Sequence, residues 1–520
     1  MQLFEFHDPS IRDRLRGNIP PSDTDKSEIQ LSIYLAKSHL AESEARHATR
    51  YTDVALRTYI RDYSSLLGPI RRIPTEVLQL IFVHPDLHDR EWIGPLMMTI
   101  YRPETIGMVC HHWREVVRST PLLWTSLRIS LRYGQCSDLR QLRMRLELSK
   151  NYPLSISFNS VYSYEEDEVP ELRKHVLAVE KITAEIVHHA ERWAQLKVPL
   201  NYDFLALLSS ARGRLLRLEK LGFGDSGSID TPNNSMLSQI KIFEDAPKLR
   251  SLSVKGRAVI MNLPTLPWNQ LTRITAPHHS SLATEKILQL SSNLRDVVLY
   301  LDRGFMPRPS HPRRGPGIRT VVLNGMDSAM VFGLTDALAS METPGLKEIH
   351  LMRCSWSPLG SIPSLVRRSS CSLETLVLDR TRVRPGELLA LFPTIPTIGT
   401  LVLVHNYPNT VTNILLEGLT PSLSDVNVCV LPALHTLVLK GAYLCSTDKL
   451  VTLLESRMRS QHPIVNLDIA LHDRDLDATD LERCAVLLGA VATYLPRVLS
   501  VYAGKPGWNP EDSRYFLETI

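Results

Sequence analysis

The chain has 520 residues, 43% of them hydrophobic, enough to bury a large core and too many for one compact domain. Its 59 basic and 55 acidic residues leave a net charge of +4 without a long Lys/Arg block, which disfavours a nucleic-acid arm. The 7 cysteines are scattered and form no Cys-x-x-Cys pair, which suits reduced thiols in the cytoplasm or nucleus better than a disulfide framework. The opening residues lack the apolar run of a signal peptide, and no stretch reads as a membrane span.

Residues 1–25 carry few paired apolar positions and are expected to be disordered. Residues 26–67 contain neither Pro nor Gly, and Gly68-Pro69 stops the run. Ile29, Ile33, Ala36 and Leu40, then Ala48, Tyr51, Ala55, Tyr59, Tyr63 and Leu66, recur at helical spacing. The pattern predicts one long amphipathic helix over 26–68, capped by Asp25 or Ser27 and interrupted on its stripe at Glu44 and His47. Such a helix either self-associates through 26–67 or packs on its own chain.

Residues 69–130 predict three short helical pieces. Pro74 suits a first turn, and Glu76 complements the helix dipole. Val77, Leu78, Ile81 and Phe82 then form one face, ended by His84-Pro85. Pro103-Glu104 repeats the start signal, and Ile106, Val109, Cys110, Trp113, Val116 and Val117 follow at steps of three and four. Cys110 on that apolar face reads as a buried packing thiol. Ser119-Thr120-Pro121 breaks the chain before Leu122, Leu123 and Trp124.

The remainder is repetitive. A six-residue pattern, apolar-x-x-apolar-x-apolar, begins at Trp193, Leu218, Leu249, Leu271, Leu294, Ile318, Leu346, Leu373, Ile398, Leu434 and Ile464. Alternation within the hexamer predicts a short strand with one buried face. The repeat spacing predicts return segments and strands stacked in parallel, hence an α/β class. Helical returns are legible after Ala283, Thr335 and Pro385, and residues 470–520 are expected to cap the open end. Position five of each hexamer should point outward, which predicts an exposed ridge of Val298, Val322, His350, Val377, Val402 and Val438. Lys347, Glu348, Glu374 and His435 lie near it, and the ridge is the expected centre of a binding surface. Cys354, Thr381 and Asn406 stand where a repeat would place a polar ladder; Met326 and Ala442 do not fit, so no continuous ladder is expected.

Signals for chemistry are weak. Gly222 to Gly227 match GxGxxG, but a loop follows instead of the helix that would meet a pyrophosphate. His84 and His88, with Asp86 and Asp89, sit beside Pro85 and read as a solvated loop. The adjacent pairs at His111, His188 and His278 point in different directions on a helix. No catalytic residue, metal site or cofactor is expected, and the chain does not read as an enzyme.

Taken in order, Ile73-Pro74 with Glu76, the helix bearing Leu78 and Ile81, Val109-Cys110 with Trp113, and Pro121 with Leu123-Trp124 resemble an F-box. More specifically, they resemble the F-box-like proteins abundant in mushroom-forming fungi. Flanking segments are similar too: Leu66 to Ile70 before the box, then Pro153 to Ile156 and Glu191 to Trp193 after it. The resemblance implies a three-helix F-box over 69–130, followed by an irregular leucine-rich-repeat-like solenoid over 150–520. It implies docking on the adaptor subunit of an SCF-type cullin–RING ubiquitin ligase, and through the adaptor on a cullin. The residues it assigns to that contact are Ile73, Pro74, Leu78, Ile81, Val109, Cys110, Trp113, Leu123 and Trp124. The repeats would then select a protein substrate. The alternative is a stand-alone repeat scaffold whose box recruits no cullin, favoured by the long 84–101 segment.

Overall fold

The computed structural model describes residues 20–471, save 46–49, 85–102, 133–134, 160–168, 225–231, 255–262, 279–280, 302–311, 316, 326–336, 340, 355–358, 405, 407–408, 422–428, 442–444, 460–463 and 465. Most of the expected disordered N-terminus, nearly all of 84–101 and the expected C-terminal cap lie outside the described residues. The chain divides into two compact units, Met1–Leu127 with Asp138–Ser155, and Arg128–Ser137 with Ile156–Ile520. No helix among the described residues is long and apolar enough to cross a membrane.

In the first unit, the single helix expected over 26–68 is instead two, Asp23–Ala45 and Arg50–Leu66. They run antiparallel against each other. At one end Ser43 donates to Asp53 at 2.5 Å and Arg57 donates to Glu44 at 2.7 Å. At the other, Ile29, Ile33 and Leu66 share a buried cluster with Ile60, Tyr63 and Leu67 against it. The stripe interruption at Glu44 is the end of the first helix: two apolar stripes facing each other bury more surface than one long stripe facing water. Ser22 and Asp25 cap the start reciprocally, each side chain accepting the other's backbone N–H.

Pro69–Arg72 forms one 3-10 turn, and Pro74 is the N-cap of the helix Thr75–Val83. The helix expected from Pro103 to Val117 is broken into Pro103–Gly107 and His111–Ser119. Gly107 carries a large helix penalty, and the chain leaves the helix there. Cys110 is extended and caps the second piece, its thiol accepting from the Trp113 N–H at 3.4 Å. It is half-buried, so the expectation of a packing thiol inside a helix is corrected. Leu78, Phe82, Ile106, Val116, Val117, Leu123 and Trp124 make one buried cluster, with Ile73, Val83, Trp113 and Leu148 packed on it. Phe82 and Trp113 meet edge-on at 4.8 Å, and Trp124 donates its indole N–H to the Val117 carbonyl at 2.8 Å.

From Ser126 the chain builds one large sheet. β1 (Ser126–Arg132) and β2 (Gln135–Cys136) pair antiparallel. β3 (Leu154–Asn159), β4 (Trp193–Pro199), β5 (Lys220–Gly224), β6 (Ser251–Val254), β7 (Arg273–His278) and β8 (Asp296–Leu301) follow. The two-residue strands β9 (Arg313–Arg314) and β11 (Met341–Glu342) pair only with each other. The main sheet continues through β10 (Thr320–Gly325), β12 (Glu348–Met352), β13 (Thr375–Asp379), β14 (Thr400–Val404), β15 (Thr436–Gly441) and β16 (Asn466–Leu471).

From β4 to β16 every neighbouring pair in the main sheet is parallel, and each strand is laid beside the one before it. Each predicted hexamer carries one of these strands. After β4, the strand begins two residues into the hexamer. The opening residue is a buried stop in a tight turn: the N–H groups of Leu249, Leu294, Ile318, Leu346, Ile398 and Leu434 each bond the carbonyl three residues back. Returns include the helices Ser281–Leu290, Ile362–Ser369, Pro385–Leu391, Asn413–Leu419 and Thr447–Arg459.

Two polar devices tie successive returns together. Asn406 accepts from the Thr381 N–H and hydroxyl, both at 2.8 Å, and donates to the Leu378 carbonyl at 2.9 Å. The ladder positions noted in the sequence are therefore linked locally, from Thr381 to Asn406. Arg457 is fully buried, and its guanidinium donates to the carbonyls of Leu419, Val430 and Leu431. Gly325, at the end of β10, is a close approach: a Cβ there would lie 2.7 Å from the Arg353 carbonyl oxygen.

Candidate functional site

The nine residues assigned to an adaptor contact fall into three groups. Leu78, Leu123 and Trp124 are buried in the core of the first unit. Leu78 lies on the side of its helix that meets Phe82 and Val116. Trp124 has its indole N–H satisfied internally. Ile73, Cys110 and Trp113 are half-buried. Pro74, Ile81 and Val109 are open to solvent.

The structure adds exposed residues outside the nine assigned to that contact. Ile70, Val77, Leu80, Met108 and Leu122 are large, apolar and exposed, with Leu80 72% and Met108 76% accessible. Val77, Leu80 and Ile81 have i, i+3, i+4 spacing and so share the outer face of Thr75–Val83. The signal was present in the sequence: Val77-Leu78-Gln79-Leu80-Ile81-Phe82-Val83 is apolar almost all round. Such a helix is covered on both sides or offers one side to a partner. Met108 and Val109 come from the break before His111–Ser119, and Leu122 from the 3-10 turn Pro121–Trp124. Buried residues of these segments share one cluster, so a single small core supports all the exposed groups.

In the second unit, the six position-five residues do form one line. Val298 is registered with Val322, Val322 with His350, His350 with Val377, Val377 with Val402, and Val402 with Val438. Their predicted exposure is not observed. Val298 is half-buried, and the other five are buried, Val402 to 1%. Val377, Val402, Val404 and Val438 form a buried cluster of their own. The physical reason is legible in Thr375-Leu376-Val377-Leu378 and Thr400-Leu401-Val402-Leu403-Val404. Nearly continuous apolar runs belong to parallel strands buried on both faces, whereas strict alternation marks a half-exposed sheet. Lys347 and Glu374 form an exposed ion pair at 2.6 Å.

His350 is the polar member of this line and is 3% exposed. Its Nε2 faces Glu348 Oε2 at 3.5 Å, while Nδ1 makes no hydrogen bond. The imidazole alongside holds the Glu348 carboxyl below its usual range, outweighing the opposing effect of burial. On the neighbouring strand, Asp379 is also buried, with Oδ1 lacking a hydrogen bond and Arg380 Nε at 4.0 Å. Burial pushes this carboxyl up to about 6, against the pull of Arg380 and Arg353.

Among the described residues, no group of three or more His, Cys, Asp or Glu side chains is placed to hold a metal. Gly222 to Gly224 lie within β5, while residues 225–227 of that glycine motif, with His88, Asp86 and Asp89, lie outside the described residues. Compared with protein-family models and with curated proteins, the chain matches none.

Proposed function

We propose that the chain is a non-enzymatic substrate-recognition subunit of an SCF-type cullin–RING ubiquitin ligase. In this reading, 69–130 is an F-box that docks on the adaptor, and the parallel strands with their returns are a leucine-rich-repeat-like solenoid that holds a protein substrate. The supporting observation is the exposed apolar set on one small core: Val77, Leu80, Ile81, Met108, Val109 and Leu122. Large apolar groups left open together mark an interaction surface. Fully burying three of them on a partner would contribute roughly 5–9 kcal/mol, at about 1.5–3 kcal/mol each. The adaptor contact then runs through Ile81 and Val109 with these neighbours, while Leu78, Leu123 and Trp124 support it from beneath.

The test is co-purification of the full chain with adaptor and cullin, wild type against the double variant Leu80→Asp, Val109→Asp. Both positions face solvent, so the variant should keep its helical circular dichroism and lose the adaptor. Retention of the adaptor by a folded variant would remove the proposed contact. Failure of wild type to bind adaptor would leave the second reading, a stand-alone scaffold. Exposed Leu31, Tyr34, Leu35 and Val54 on the N-terminal hairpin favour self-association in that case.

A further inference from the structure

The sheet face that carries the valine line contains one buried polar step. β12 and β13 pair His350 with Val377 and Met352 with Asp379. His350 and Asp379 are therefore diagonal neighbours on one face, since residues two apart along a strand point the same way. Around them stand Glu348 beside the imidazole, Arg353 and Arg380 at the ends of the two strands, Tyr300 on β8 and Lys440 on β15. His350 Nδ1 and Asp379 Oδ1 are sealed from solvent without a hydrogen bond, while His350 Nε2 faces Glu348. Buried polar atoms are nearly always paired, so two unpaired atoms on neighbouring strands of an apolar layer call for an explanation.

We propose that Asp379, set beside the Glu348–His350 pair, is a proton-operated latch on this face of the sheet. With its carboxyl neutral, the β12–β13 margin is tight; with it ionised, a charge whose Oδ1 no donor bonds enters the layer and loosens that margin. The inference does not depend on which partner the chain serves. Arg380 at 4.0 Å is too distant to hydrogen-bond the orphan oxygen, so the carboxylate gains attraction without direct satisfaction. The direction of the carboxyl's shift agrees: burial raises it from 3.8 to about 6.

The sign follows from that shift. A carboxyl raised in the folded chain is penalised when ionised, so its contribution is most favourable below 3.8 and declines as pH rises to about 6. The interval corresponds to roughly a hundredfold in the folding equilibrium. Glu348 has the opposite sign: its lowered carboxyl favours the folded chain above its ordinary value of 4.5, and this is lost as pH falls through the depressed folded value. The two windows differ, so they can be separated.

The experiment is urea unfolding of the full chain, wild type against Asp379→Asn, at about pH 4.5 and about pH 7.5. The asparagine carries no charge at either pH. Its folding equilibrium should improve relative to wild type by more than tenfold between the two conditions. A relative stability constant within twofold would overturn the latch. Hydrogen exchange of wild type supplies a second reading that needs no variant. After correction for intrinsic rates, protection in Glu348–Met352 and Thr375–Asp379 should fall with rising pH more than in β5 and β6. Equal change in all four strands would also overturn it.

Discussion

Replacing Asn406 by alanine tests whether the returns of the sheet are tied by side-chain bonding or only by apolar burial. Asn406 and Thr381 are both buried. The amide oxygen receives the Thr381 N–H and hydroxyl at 2.8 Å, and the amide nitrogen reaches the Leu378 carbonyl at 2.9 Å. Truncation removes three bonds, each worth about 1 kcal/mol net, and leaves a backbone donor and a backbone acceptor in a dry environment. The Thr381 hydroxyl can rotate to another acceptor, so it adds little. The expected loss is roughly 3–4 kcal/mol. Urea unfolding followed by a probe in the second unit measures it, and exchange at the Thr381 amide locates it. Asn406→Asp keeps the acceptor and sets a carboxylate against the Leu378 carbonyl. Its folded carboxyl is therefore raised, and stability should return as pH falls and the acid becomes a donor. An Asn406→Ala loss below about 1 kcal/mol, with unchanged exchange at Thr381, would refute the reasoning.

Three other outcomes are expected. Arg457→Met removes the donor to the carbonyls of Leu419, Val430 and Leu431, of which Leu431 keeps the Leu434 N–H, and should cost about 3–5 kcal/mol, read as a lower melting temperature of the second unit; an unshifted melt would show that the bonding is incidental. Trp124→Phe keeps most of the ring but removes the indole donor to the Val117 carbonyl, which retains the Thr120 N–H at 3.3 Å, and should destabilise the first unit alone by about 0.5–1.5 kcal/mol in a denaturant titration. Val402→Asp puts a charge into the valine cluster and should leave little folded chain, judged by circular dichroism of the soluble fraction; a stable, folded variant would reinstate the exposed ridge.

The repeat was legible because a strand is specified by neighbours in the chain. The hexamers from Trp193 to Ile464 located the parallel strands, and aligned positions predicted which residues share a line. The same periodicity was misread where two structures fit one pattern. Alternating positions in Leu376-Val377-Leu378 look half-exposed when scored alone, yet the intervening valine closes a second apolar layer. In the first unit, Gly107 and the Glu44 interruption were visible, but their effect on helix length depended on what each piece could bury against. Cys110 illustrates the point: its spacing fits an apolar helix face, while the chain makes it a cap.

For the candidate surfaces, composition marked the apolar residues around Leu78 and Trp124 without dividing core from surface. Three-dimensional packing made that division, because the same helix buries Leu78 and Phe82 and leaves Leu80 and Ile81 open. The polar step at His350 and Asp379 was divided in the sequence by the return between β12 and β13. By itself, the sequence determined the repeated strands, their register and the helical character of 69–130, all set by local periodicity. Tertiary structure alone decided which apolar faces were closed and which buried charges met, because burial depends on segments distant in the chain.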